Sequence, residues 1–409
     1  MGMRRRPRQL EGVAQTKTSI RNNIWKLYAI HAAYSTLFFI PILVPFFQQN
    51  GLTLGDVFLL QGVFMLVMMV LEIPSGYLAD RWGRKNTTLT GSCFGISGIL
   101  LYTMCTTFVE FFIAEVLFAI LVSFHSGTLD ALMYDTLLEL QETPSYRKVC
   151  GNQRFVGFIA QSAASIGGGI LALIALRTTV WATLIPFVIG FFVALTLHEP
   201  KRREQREPQR AKPMSGIIAD VLIRSLPLRS IIALSGLLSS LTFALVWFTQ
   251  LYQSVVGLPL WLFGVTHATM MMGAGVTSKV THKFGKYVGN RRLLVGIAIA
   301  IIGSYLVLGF ATAPWGIVLL FIGRSMYGFI DPLTMDIVNR MTTSDIRATV
   351  LSVRSFGQRA TFALASPILG YLINVYTLNQ ALLLTGIAGG LGLLVIFLMM
   401  RKVWVEIPT

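Results

Sequence analysis

Charged side chains are scarce in this chain, and their positions decide what chemistry it could do. Of its 409 residues 54% are apolar and 13% charged, about half the charged share of an average soluble domain. Yet Glu115, Asp130, Asp331, Arg324 and Arg359 stand inside long apolar runs. A charge at such depth is costly unless it is paired or faces water. A carboxyl group held out of water can exchange its proton near neutral pH, so Glu115, Asp130 and Asp331 are candidates for proton coupling. Arg324 and Arg359 could hold an anionic solute or neutralise a carboxylate. Arg324 and Asp331 lie seven residues apart, on one helical face two turns apart. His31, His125 and His267 occupy three different apolar runs, where hydrogen-bonded packing is the commoner role. No metal-ligand spacing, Ser-His-Asp arrangement or GxxxxGK[ST] loop stands out, so neither an enzyme, a metal site nor a cofactor is expected. Cys93, Cys105 and Cys150 read as small apolar residues rather than a disulfide framework.

The elements that must position these groups are membrane helices. Twelve apolar runs have room for the ~20 helical residues that cross a bilayer: Asn23–Phe47, Leu54–Ala79, Asn86–Thr106, Phe108–Leu138, Gly151–Ala175, Thr178–Leu197, Leu228–Val255, Leu260–Lys283, Arg291–Ala311, Trp315–Val338, Thr349–Val375 and Gln380–Met400. The charged, proline-containing stretch Glu199–Pro213 is a linker. The expected organisation is a bundle over residues 1–198, a linker over 199–227 and a second bundle over 228–409. Seven Lys and Arg precede residue 27, and the first span is expected to be retained rather than cleaved. Cations gather in alternate loops, and Arg177 is the one cation in the others. The net charge of +16 is therefore a topology signal rather than a sign of nucleic acid, and both termini are expected in the cytoplasm.

Between the second and third spans lies Gly76–Lys85, read as a tight charged turn. Its pattern, Gly76-x-Leu78-Ala79-Asp80-Arg81-x-Gly83-Arg84-Lys85, with Leu71-Glu72-Ile73-Pro74-Ser75 before it, resembles the signature of the major facilitator superfamily, in its bacterial exporter-like branch. The resemblance covers essentially the whole chain. It implies an all-α membrane protein of twelve transmembrane helices in two pseudo-symmetric six-helix bundles, with spans one, four, seven and ten around a cavity. It further implies that Asp80 caps a helix of the opposite half and that Arg84 pairs with Asp135.

The halves echo one another. Asp80–Arg84 returns as His282–Lys286 at an offset of 202 residues, Gly127–Asp135 as Gly328–Asp336 at 201, and Arg147 and Arg154 as Arg347 and Arg354 at 200. The repeat extends the first ion pair to a second, Asp336 with Lys286 or Arg354. Asp80, Arg84, Asp135, Arg154, Lys286, Asp336 and Arg354 then form a cytoplasmic gate, holding when the cavity faces outward and breaking when it faces inward; static pairs that only fix packing are the alternative. Residues without a counterpart are candidates for reading the solute: Arg324 aligns with Ser123, Arg359 with Ile159, Glu115 with Gly316 and Glu72 with Ala274. With His31, Tyr34, Phe38, His125 and Gln161, Arg324 and Arg359 are the cavity candidates. Gly157 and Gly167–Gly169 read as helix-packing sites, and the proline of the exporters' antiport motif is missing between Arg154 and Leu176.

The expected function is secondary active transport by alternating access: proton-coupled efflux of a small amphiphilic molecule (drug, siderophore or metabolite) across a prokaryotic-type inner membrane. The expected partners are the solute, protons and the lipid bilayer, with the protein a monomer. Uptake or lipid flipping on the same fold is the first rival, and a non-transporting membrane sensor or scaffold the second.

Overall fold

The computed structural model describes residues 18–200, 225–310, 312–343 and 346–401, with 216, 221 and 223. The basic amino-terminal tail, most of the linker and the tail after Arg401 lie outside the described residues. Among the described residues, fourteen α-helices build the twelve spans. The first half holds α1 (Asn23–Ser35), α2 (Leu43–Gln49), α3 (Leu54–Trp82), α4 (Arg84–Tyr102), α5 (Phe108–Glu139), α6 (Tyr146–Leu171) and α7 (Leu176–Leu195). The second holds α8 (Leu226–Val255), α9 (Leu260–Val288), α10 (Asn290–Phe310), α11 (Gly316–Ser325), α12 (Tyr327–Met341), α13 (Arg347–Val375) and α14 (Leu378–Arg401). Spans one (α1 and α2) and ten (α11 and α12) are broken; the others are single helices. Broken spans are tolerated where the freed backbone is buried in protein or lines a cavity.

Eight of the twelve spans are apolar and long enough to qualify as membrane-crossing on composition alone, among the described residues. The other four are α4, α6, α9 and α13. Three of these explain themselves by position: α6 packs on α9, and α13 on α3, between the halves, so their polar residues face protein rather than lipid. The basic loops mark one face of the molecule, the basic face; the other is the distal face.

Local sequence sets the helix ends. On the distal face, Thr53 with Asp56 and Thr107 with Glu110 form reciprocal capping boxes that start α3 and α5, each satisfying two otherwise unpaired backbone N–H groups. Arg177, the cation that breaks the loop-charge pattern, donates to Asn50 Oδ1 at 2.6 Å, to the Thr103 carbonyl at 2.9 Å and to the Cys105 carbonyl at 2.8 Å. It thereby ties three distal turns of the first half together.

On the basic face the expected turn contracts. Helix α3 continues through Trp82, and the reversal is the single residue Gly83, at φ +96° and ψ 148°, a conformation open essentially to glycine alone. Glu199 closes this corner: its carboxylate accepts from the backbone N–H of Arg84 at 2.8 Å and of Lys85 at 2.7 Å, at the positive end of α4. The echo is displaced in the second half. Gly285, aligned with Gly83 by sequence, lies inside α9, and the turn glycine is Gly289, at φ +84°. One further helical turn precedes the reversal, so here the structural offset exceeds the sequence offset.

In lipid, helices gain by close approach of small residues rather than by burying apolar surface. The seams between the halves use this. Gly55 of α3 packs on Gly370 and Asn374 of α13, and Gly62 on Ala363 and Ser366. Gly169 of α6 meets the Trp261 carbonyl and Gly264 of α9. Both seams lie toward the distal face.

Candidate functional site

Between the halves lies a cavity of about 410 Å³, within the usual range for small-molecule sites. Its distal end is sealed. There the Gln250 side chain accepts from the Val44 N–H at 2.9 Å and donates to the Ile40 carbonyl at 3.0 Å, across the halves. Phe58 and Phe248 pack nearby, tilted, with ring centroids 5.1 Å apart, and Ser165 meets His267 Nδ1 at 2.9 Å. At the other end Asp130 and Arg154 line the cavity while 43% and 70% of their side-chain surfaces stay exposed, so the cavity opens past them toward the basic face.

The expected cavity residues divide. His31, Tyr34, Glu115, His125, Asp130, Gln161 and Arg324 line the space, as does Arg154. They come from α1, α5, α6 and α11; α3, α8 and α9 add further walls. Phe38 does not line it: its carbonyl and ring pack against Gly167 and Gly168 of α6, and its N–H donates to Thr183 Oγ1 at 3.1 Å. Arg359 is also elsewhere, in an ion pair with Glu72 that bridges α13 and α3. Asp331 is not a lining residue. Its carboxylate takes Arg354 at 2.8 Å, a whole helix away from the expected alternative partner, Arg324.

Glu115 is 2% exposed and accepts a hydrogen bond from Gln61 Nε2 at 2.7 Å. No cation pairs with it among the described residues, so only dipoles would face its ionised form. His125 is a satisfied packing residue. Its Nε2 lies 3.0 Å from the Thr88 carbonyl and 3.3 Å from Ser92 Oγ, and its ring meets Tyr34 edge-on at 4.7 Å.

The basic face carries the ion pairs. Arg84 and Asp135 meet at 2.6 Å with little exposure, and Arg84 also donates to the Ala131 carbonyl. Asp130 with Arg154 at 4.0 Å and Asp331 with Arg354 at 2.8 Å occupy matching places in the two halves. The second pair expected from the repeat is therefore drawn differently. Asp336 pairs with Arg340 of its own helix at 3.0 Å, although it shares a surface groove with Lys286, and Arg354 goes to Asp331. Asp80 is exposed on the last turn of α3. Each of these pairs lies within one half, and all stand formed while the cavity opens toward the basic face. That departs from a gate whose pairs break in this state. Glu72–Arg359 is an ion pair that joins the halves.

Three contributors escaped the sequence. Trp247 and Phe243 of α8 lie in an uninterrupted apolar run, and Gln61 of α3 is an ordinary polar residue amid apolar neighbours. No period or charge marks them. Only the inward face of a broken-symmetry bundle does.

No curated protein matches the chain. Among solved structures, that of the nucleoside transporter NupG is similar, with a TM-score of 0.76 and 13% identity over 94% of this chain and 99% of that one. A mutant form of the same transporter gives 0.77 and 12% over the same shares. Likeness at that identity speaks for the fold. The family model of the Major Facilitator Superfamily matches residues 27–330, well over half the chain, and the chain belongs to that superfamily.

Proposed function

We propose that this chain is a proton-coupled secondary transporter that carries a small amphiphilic molecule by alternating access through the cavity between its halves. The observation that carries the reading is the cavity itself: sealed distally by Gln250, open past Asp130 and Arg154, and holding the buried, cation-free carboxyl of Glu115. Glycine seams at the distal ends let the halves part there and close at the other face, as rigid-body rocking requires. Glu115 is the first candidate for the coupled proton. Asp130 and Asp331, each facing an arginine, hold spans four and ten to spans five and eleven.

Alternating loop charge supports a basic face in the cytoplasm of an inner-membrane protein, with both termini there and the chain acting as a monomer. Efflux is the direction favoured by the exporter-like Leu71–Gly76 stretch; the likeness to a nucleoside transporter gives uptake a hearing. Inside-out vesicles separate the two, since an acid-inside proton gradient drives accumulation only for efflux by proton antiport. Transport itself is tested with Ser126→Cys, on the cavity wall, in a chain whose three native cysteines are replaced. An impermeant thiol reagent labels it from either side of the membrane if the cavity alternates. Labelling from one side only supports the sensor or scaffold reading instead.

A further inference from the structure

We infer that the transported solute is an organic anion with a single charged headgroup, and that Arg324 and Trp247 receive that headgroup near the sealed end of the cavity. The inference rests on the transport reading above and names the class of solute.

Arg324 is 8% exposed, lines the cavity, and has no hydrogen-bond partner at Nε or Nη1. Its guanidinium sits 4.9 Å from the centre of the Tyr327 ring, which offers a π face but no acceptor for those N–H groups. The acids around it are engaged elsewhere: Glu115 with Gln61, Asp130 with Arg154, Asp331 with Arg354 and Glu72 with Arg359. Arginine does not shed its proton in proteins, and a buried charge without a counter-charge is expensive. A solute that brings the counter-charge removes that cost.

A second donor stands on the same cavity. Trp247, 3% exposed on the neighbouring helix α8, has an indole N–H without a partner. Indole and guanidinium are donors only, so together they suit a group rich in acceptors: a carboxylate, a sulfonate or a phosphate monoester. Arg324 also lines a small chamber beyond the cavity, and Gln250, the residue that seals the halves, is on its wall. The headgroup would thus bind beside the closure. Elsewhere the lining includes the aromatic residues Tyr34, Phe39, Phe64, Phe118 and Phe243 among aliphatic and polar ones, and its apolar part suits an apolar body. One uncompensated cation calls for an anionic headgroup. An uncharged solute leaves Arg324 unpaired, and a cation is repelled by it.

The test uses the purified full chain in detergent, with thermal unfolding read against five probes sharing one body: 2-naphthoate, 2-naphthalenesulfonate, 2-naphthyl phosphate, 2-naphthalenemethanol and 2-naphthylmethylammonium. At least one anion is expected to raise Tm saturably, and the alcohol and the ammonium to leave it unchanged. Arg324→Gln should weaken that anion roughly tenfold or more, as loss of a charge-assisted contact does. Arg324→Lys should keep part of the affinity, since it retains the charge but not the fork, and Trp247→Phe should weaken it several-fold. Without ligand, Arg324→Gln should be as stable as the parent or more so, because it deletes an unpaired buried charge. The inference falls if no anion shifts Tm, if the alcohol or the ammonium does so equally, if Arg324→Gln binds as before, or if that variant unfolds more readily or fails to fold. Its failure is separable from that of the transport reading. Two-sided labelling of Ser126→Cys without an anion response discards the solute class and keeps the transporter. An anion response without two-sided labelling keeps the site and discards the transporter.

Discussion

Gly169→Ala should unlock the distal seam. A Cβ at that position would lie 2.6 Å from the Trp261 carbonyl oxygen and 3.1 Å from the Gly264 Cα. Ordinary contact begins at 3.4 Å, so backbone must part from backbone by about 0.8 Å, and no flexible side chain can absorb the move. Overpacking of this kind costs about 1–3 kcal/mol. Alanine also gains roughly 0.5–1 kcal/mol over glycine within a helix, but it does so in every conformation and cancels from the comparison. The penalty falls on the state in which α6 and α9 touch at Gly169, so the balance should move toward the distally open state by roughly 5–150-fold. The assay is a pulsed spin-label distance between Thr106 and Tyr376, both exposed at the distal ends of opposite halves, in reconstituted protein. The long-distance population should grow at the expense of the short one. Gly127→Ala serves as control, because its Cβ would meet nothing within 4 Å. An unchanged distribution in Gly169→Ala would refute the reasoning that this glycine holds the closed seam.

Three other outcomes follow from the same geometry. Asp135→Arg should destabilise the first half by about 2–4 kcal/mol, since it leaves Arg84 facing a like charge in a mostly buried setting; adding Arg84→Asp should restore part of the loss in a thermal-unfolding double-mutant cycle, and no restoration would remove that pair from the account. Glu115→Gln should keep the fold and the hydrogen bond from Gln61 but abolish solute-induced proton movement, read with a pH dye in lightly buffered liposomes; intact proton movement would exclude Glu115 as the carrier. Gly83→Ala should cost about 1–3 kcal/mol, because φ +96° is forced by the one-residue turn and a Cβ would stand 3.3 Å from Glu199 Oε1; an unchanged Tm would show that the corner can relax.

The spans could be read from the chain because a bilayer imposes length and apolarity on every crossing, and because loop charge alternates. The pairing of Arg84 with Asp135 follows from the resemblance, and the structure places the two side chains in contact. The partners of Asp331 and Asp336 did not emerge. Both acids lie on one helix, the repeat offers Lys286 or Arg354 as a partner, and the choice depends on how α12 turns against α13 after the break at Met326. The Glu72–Arg359 bridge joins helices nearly three hundred residues apart, and neither residue has a charged counterpart in the repeat. The echo of Gly83 at Gly285 does not mark the turn, which falls at Gly289, because the sequence echo and the helix end differ by one turn. Trp247 was invisible, since an aromatic residue within an apolar span carries no mark of the face it will present.

The central claim is that one cavity is reached from two faces in turn. Two distances in the same reconstituted protein test it: Thr106 to Tyr376 across the distal face, and Lys148 to Lys286 across the basic face, where the ends of α6 and α9 carry exposed positions. The account predicts two populations at each site, with any condition that lengthens one distance shortening the other. Single fixed distances, or two faces that open together, would contradict it.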